Sequence, residues 1–131
     1  MSAQTFNEWR DPQVNAVNRA EMRSNDISLE GTDRYMSIHG KWKFNWVKDA
    51  DLRPSGFWAL DYDDKDWGEM PVPGVWELNG YGDPIYVNTG YAWRNQYENN
   101  PPYVPVTGNH VGTYRKNISI PASWTGKDVF I

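Results

Sequence analysis

The stretch Pro71-Val72-Pro73-Gly74-Val75-Trp76-Glu77-Leu78-Asn79-Gly80-Tyr81-Gly82-Asp83-Pro84-Ile85-Tyr86-Val87-Asn88 cannot build a long helix. Pro71, Pro73 and Pro84 fix φ and remove backbone donors, and Gly74, Gly80 and Gly82 open conformations closed to other residues. Between them stand Trp76, Tyr81, Ile85 and Tyr86, large side chains that need burial or a flat surface to lie against. The pattern predicts a shaped loop pinned by aromatics and running into a short strand. Loops of this build, carried on a rigid scaffold, are where binding residues concentrate.

The strands that could carry such a loop show a period of two. Over residues 37–47, Trp42, Phe44 and Trp46 alternate with Lys41, Lys43 and Asn45, which predicts a strand with one apolar face. His39-Gly40 reads as the turn before it. Core packing is favoured for the three aromatics over a sugar-stacking platform. Residues 48–60 read as a loop with one helical turn, broken at Pro54 and Gly56, and 67–72 as a short strand. A second alternating strand is predicted over 113–120 and the beginning of a further one at 128–131. Residues 89–105 have no period and read as a long ordered loop, functional or interfacial in character. Residues 1–35 read as an arm lying across another surface, the alternative being a disordered leader. Asp11-Pro12 is suited to start a short helix in it, with Val14, Val17 and Asn18 on one side.

One domain is what 131 residues allow. Thirteen basic against 17 acidic residues, with no block of one sign, gives no basic face for a nucleic-acid partner. No apolar run approaches membrane-spanning length, and the opening residues hold no apolar signal core. The chain has no cysteine, so there is neither a disulfide framework nor a thiolate metal site. The anomaly is eight Trp and eight Tyr, which suit a β-sandwich core and also suit stacking on the C–H faces of sugars. A strand that starts at 128 leaves neighbouring edges unpaired, so the chain is expected to belong to a longer protein, or to associate when alone.

Signals for chemistry are few. His39 and His110 sit in turn-like settings without metal-ligand spacing, and there is no nucleophile elbow or phosphate loop. A glycosidase needs two carboxylates facing across a cleft, and Glu8, Glu21, Glu30, Glu69, Glu77 and Glu98 are scattered. Glu77, in the shaped loop, is the best single candidate, though a structural or capping role is favoured for it. Asp61-Tyr62-Asp63-Asp64-Lys65-Asp66 fails as a calcium loop, with Asp66 where the turn glycine belongs and Val72 where the closing Glu belongs. A solvated turn is favoured. Asn117-Ile118-Ser119 is a formal glycosylation sequon inside a predicted strand. Asn88, just before Thr89-Gly90, suits a turn after a strand, although its amide offers the donor and acceptor that a sugar hydroxyl takes.

These residues resemble a known family. Pro-Val-Pro-Gly-Val-Trp-Glu over 71–77 and Gly-Tyr-Gly-Asp-Pro-Ile-Tyr-Val-Asn over 80–88 look like the N-terminal domain of the large β-galactosidases of glycoside hydrolase family 2. Trp9-Arg10-Asp11-Pro12 with Val14, Asn15, Asn18 and Arg19 is similar to the family's arm. Ser37-Ile38-His39-Gly40-Lys41-Trp42-Lys43-Phe44 is similar to its first sandwich strand, with His39 where Asn is more usual. Asp63-Asp64-Lys65-Asp66-Trp67, Asn100-Pro101-Pro102-Tyr103-Val104-Pro105, Gly112-Thr113-Tyr114-Arg115 and Ile120-Pro121 with Trp124 complete the likeness in order.

The resemblance implies an all-β fold: a jelly-roll-like β-sandwich, incomplete at its C-terminal end, behind an arm with a short helix. Residues 1–35 would be the arm and 36–131 the first part of the sugar-binding domain. The catalytic (β/α)₈ barrel, with an acid/base Glu and a nucleophile Glu, lies outside this chain. The implied function is that of the N-terminal fragment of a retaining β-galactosidase acting on terminal β-D-galactosides. The fragment would contribute to substrate binding and domain assembly and be inactive alone. Asn88 matches the family's Tyr-x-Asn position at the edge of the galactose pocket, which turns its reading from turn residue to sugar contact. No metal site is assigned in this chain; Mg and Na are implied for the full-length enzyme, together with an aspartate from the missing half of the sandwich. Glu8, Asp11 and Val14 match arm positions that bind a structural cation in a relative, with Glu and Asp here in place of Asp and Asn. The implied partners are the galactoside, the remaining domains and further copies in a homo-oligomer. Two rival readings are a free-standing carbohydrate-binding module, stacking sugars on Trp93, Tyr97 or Tyr103, and an assembly domain that touches no sugar.

Overall fold

The computed structural model describes residues 7–17, 19, 21, 29–84, 103–105 and 107–131. Its centre is a three-stranded antiparallel sheet of β1 (Gly40–Val47), β2 (Gly68–Val72) and β3 (Val111–Arg115) in the order β2-β1-β3. The remaining regular elements among the described residues are single turns of 3₁₀ helix. The architecture is therefore consistent with an all-β chain.

The predicted alternation sets the faces. Residues directly opposite each other point to the same side of a sheet. Trp42 stands opposite Met70, Phe44 opposite Gly68 and Tyr114, and Trp46 opposite Gly112, so these share one face. Lys43 with Glu69 and Arg115, and Asn45 with Thr113, share the other. Phe44 and Met70 are the largest fully buried side chains. The Phe44 ring lies 4.6 Å from that of Tyr114 and 4.7 Å from that of Tyr81, the latter edge-on. Core packing is thus what Phe44 does, and Trp42 and Trp46 flank it half-buried.

Several boundaries differ from the sequence-based expectation. β1 starts at Gly40, whose φ of 113° turns the chain away from residues 37–39. β3 covers Val111–Arg115 where 113–120 was expected. Pairing with β1 stops at Lys43 opposite Arg115. Just beyond, the Lys116 ammonium donates to the carbonyls of Ile38 and His39, both at 3.1 Å, and stands 5.5 Å above the Trp42 ring. Alternation alone does not reveal that the ladder ends there. No strand forms over 128–131, where Phe130 and Ile131 are exposed.

The arm's helix is also elsewhere. A 3₁₀ turn spans Glu8–Arg10 and Asp11 closes it, its amide donating to the Glu8 carbonyl at 3.0 Å. Asp11 then uses its carboxylate to accept from the Gln13 amide at 2.9 Å, a local turn that competes with helix. Val14 and Val17 are exposed, and Asn18 lies outside the described residues. Arg10 stacks on Trp9 and pairs with Asp51, which ties the arm to the 3₁₀ turn Ala50–Leu52. That turn is the one expected within 48–60.

Candidate functional site

The shaped loop leaves β2 and folds back over the aromatic face. Its first bend admits only glycine: a Cβ at Gly74 would stand 2.3 Å from the Pro71 carbonyl oxygen and 3.1 Å from the Met70 methyl. The 3₁₀ turn Glu77–Asn79 follows, closed by the Asn79 and Tyr81 amides donating to the Trp76 carbonyl at 2.8 and 3.1 Å. Asn79 also donates its side-chain amide to the Val75 carbonyl at 2.8 Å, and Gly80 takes the left-handed conformation that ends the turn.

Aromatic side chains hold the loop down. Trp76 lies across Gly112 and donates its indole N–H to the Tyr114 hydroxyl. A Cβ at Gly112 would fall 2.5 Å from Trp76 and 2.7 Å from Phe44, so the close approach requires glycine there. Tyr81 occupies the space over Gly68 with its hydroxyl and meets Phe44 with its ring. Gly82, with φ 74°, rests against His110 and Trp46. Beside the loop's start is an apolar hollow of about 370 Å³ lined by Trp42, Val72, Pro73, Gly74 and Tyr114. Its walls offer ring faces and hydrocarbon, and the lining side chains that carry a polar atom are Trp42 and Tyr114.

Among the described residues the carboxylates gather into no cluster of three or more. Glu77 is exposed in the first turn of its 3₁₀ element. In the 61–66 segment, Asp63 accepts from the Lys65 amide at 3.2 Å and its ammonium at 2.8 Å, and these bonds hold the exposed Asp63 carboxyl below its ordinary range. Asp64 is only partly the solvated turn residue expected, because it pairs with Arg115 at the half-buried side of the sheet. Among the described residues no group of three or more His, Cys, Asp or Glu is placed to hold a metal ion, the arm's Glu8 and Asp11 included. Asn117 and Ser119 are exposed beyond the end of β3, so the sequon is not inside a strand as expected.

Asn88 lies outside the described residues, as do Trp93 and Tyr97; Tyr103 is half exposed. Sequence reasoning missed two residues. Arg115 looked like the polar half of an alternation, yet its guanidinium binds the carbonyls of Ala59 and Tyr62 at 2.9 and 3.2 Å as well as Asp64. His110 read as a turn residue, yet its ring packs edge-on to Trp46 at 4.8 Å. Neither contact leaves a local signal, since each joins segments far apart in the chain.

Comparison with known proteins agrees with the motifs. Residues 35–131 match the family described as glycosyl hydrolases family 2, sugar binding domain. The chain is 36% identical to a beta-galactosidase of Halalkalibacterium halodurans over 93% of its own length and 13% of that protein's. A beta-galactosidase of Priestia megaterium is 28% identical, over 98% of this chain and 14% of that protein. The beta-galactosidase large subunit of Leuconostoc lactis is 30% identical, over 92% of this chain and 22% of that subunit. The chain therefore spans a small part of the relatives it matches. It belongs to the family of sugar binding domains of the family 2 glycosyl hydrolases.

Proposed function

We propose that the chain is the N-terminal part of a retaining β-galactosidase that hydrolyses terminal β-D-galactosides, and that it binds substrate and docks other domains without being catalytic alone. The observation that carries this reading is coverage: beta-galactosidases of Halalkalibacterium halodurans, Priestia megaterium and Streptococcus thermophilus align over 92–98% of the chain, and the sugar-binding-domain match runs over 35–131. Residues 1–35 act as the arm and 36–131 as the first part of a jelly-roll-like sandwich, of which β2-β1-β3 is one sheet. The two carboxylates of a retaining glycosidase come from elsewhere in the enzyme, which agrees with the scattered acids described above. The Mg and Na implied for the full-length enzyme are assigned no ligand in this chain.

Asn88 contributes the sugar contact, offering an amide donor and acceptor to a galactose hydroxyl at the pocket's edge. In the full-length galactosidase carrying this domain, Asn88→Ala should lower kcat/KM about ten- to a hundredfold while sedimentation shows unchanged assembly. Unaltered kinetics would remove Asn88 from the pocket. A reading in which the domain serves assembly has its own support, since Trp58, Leu60 and Leu78 are large apolar residues exposed on the two loops. Homo-oligomerisation and docking of the remaining domains fit that surface, and the same substitution separates the two roles.

A further inference from the structure

We propose that Asn79-Gly80 is a self-modifying site: the Gly80 amide attacks the Asn79 side chain and converts it to aspartate and isoaspartate, with water as co-reactant. The change unfastens the turn in the middle of the shaped loop. Asn79 is the one asparagine of the chain followed by glycine, so no side chain shields the next nitrogen. The turn around it leaves that nitrogen open. Glu8–Arg10, Ala50–Leu52 and Ala122–Trp124 each close with the amide of the following residue donating to the carbonyl of the first. In Glu77–Asn79 the Gly80 amide has no acceptor among the described residues, and the Tyr81 amide reaches past it to the Trp76 carbonyl at 3.1 Å. An amide without a hydrogen bond exposes its proton to water and base, whereas a bonded one is protected until the bond opens. Asn79 and Gly80 are both exposed, and a Cβ built on Gly80 meets nothing within 4 Å, so there is room for a ring to close.

The steps balance without a redox partner. The Gly80 nitrogen gives its proton to hydroxide and bonds to Asn79 Cγ. The Cγ–Nδ2 bond breaks, and Nδ2 takes up a proton from water and leaves as ammonia. Water then opens the five-membered imide, at the side-chain carbonyl to give aspartate or at the backbone carbonyl to give isoaspartate. What restrains the side chain is its donation to the Val75 carbonyl at 2.8 Å. One neutral hydrogen bond slows a step that must break it by about two- to tenfold. Either product puts a carboxylate where Nδ2 had donated, which leaves the Val75 carbonyl without that donor and adds a negative charge two residues from Glu77. Isoaspartate also lengthens the main chain between the Asn79 and Tyr81 amides, which share the Trp76 carbonyl at 2.8 and 3.1 Å.

The test is incubation of the full-length protein carrying this domain at mildly alkaline pH, folded and in guanidinium chloride. The tryptic peptide 66–94 is then sequenced by mass spectrometry to locate the conversion at position 79. The expected result is a folded rate within about tenfold of the unfolded one, since one hydrogen bond is the restraint. The converted protein, separated by its added charge, should be cut faster by subtilisin within the shaped loop, and Asn79→Asp should reproduce that. Asn79→Gln should show no conversion at this position. A folded rate lower by more than about tenfold means that the turn must open first, and overturns the proposal. It is equally overturned if the converted protein and Asn79→Asp are cut no faster than wild type, because the turn then holds without the amide.

Discussion

The two faces of the sheet are covered by two loops held by different physics. On the Trp42–Phe44–Trp46 face, the 73–84 loop is seated by shape: Trp76 over Gly112, Tyr81 over Gly68, and three rings around Phe44. On the face carrying Arg115, the 48–67 loop is gathered by one cation that binds the carbonyls of Ala59 and Tyr62 and the Asp64 carboxylate, with the Tyr62 ring 5.3 Å away. Dispersion and burial are spread over many atoms and tolerate no extra volume, whereas a guanidinium concentrates the attachment in a few directed bonds. The first seat is sensitive to methyl groups, the second to one charge.

Phe44→Ala tests the first seat most severely. It should cost about 3–5 kcal/mol of stability, read by urea denaturation, because it empties the space between Trp76, Tyr81 and Tyr114. A cost under about 1 kcal/mol would mean that the loop is seated by something other than the core. Arg115→Met keeps the aliphatic stem and removes the charge. It should cost about 2 kcal/mol, since Asp64 and two carbonyls lose their donor where the pair's side chains are 18% and 26% exposed. Raising salt to about 1 M should leave most of that difference in place; its disappearance would put the pair at the surface in energetic terms.

Lys65→Met is the smallest expected effect. The Asp63 carboxyl should return upward toward its ordinary value of 3.8 in an NMR pH titration, because the Lys65 ammonium that favours the anion is gone. The sign follows from the lowered folded value: whatever stability this pair lends is present above the ordinary carboxylate range and fades as pH falls through the folded one. The pair is exposed, its side chains 73% and 65% accessible, so an unchanged melting temperature at neutral pH is expected together with the shift.

What was legible in the sequence follows the same division. The period of two over Trp42, Phe44 and Trp46 fixes which side of β1 is buried, and the glycines and prolines of 71–84 mark the shaped loop, because both are local constraints on backbone and burial. The end of β3 was not legible. Ile118 and Ile120 continue the alternation past Arg115, and only the Lys116 ammonium reaching Ile38 and His39 shows that the ladder has stopped. The arm's helix was missed for a related reason, since Asp11 serves equally as an N-cap and as a turn acceptor for Gln13. In the site, the motifs identify the family and point to Asn88, but the seat formed by His110, Trp46 and Gly82 joins three distant segments.

The Arg115 attachment also has a consequence for synthesis. The residues it binds precede it by 51 to 56 positions. Strands β1 and β2 and the segment between them leave the ribosome while the guanidinium is still unmade, and β1 waits equally for β3 along its second edge. Translation at about 5–20 residues per second makes that interval several seconds, long compared with the microseconds in which a hairpin closes. The nascent β1–β2 pair therefore spends this time with one face unclosed and one edge open, and this is the window in which a chaperone or a neighbouring nascent chain can bind it.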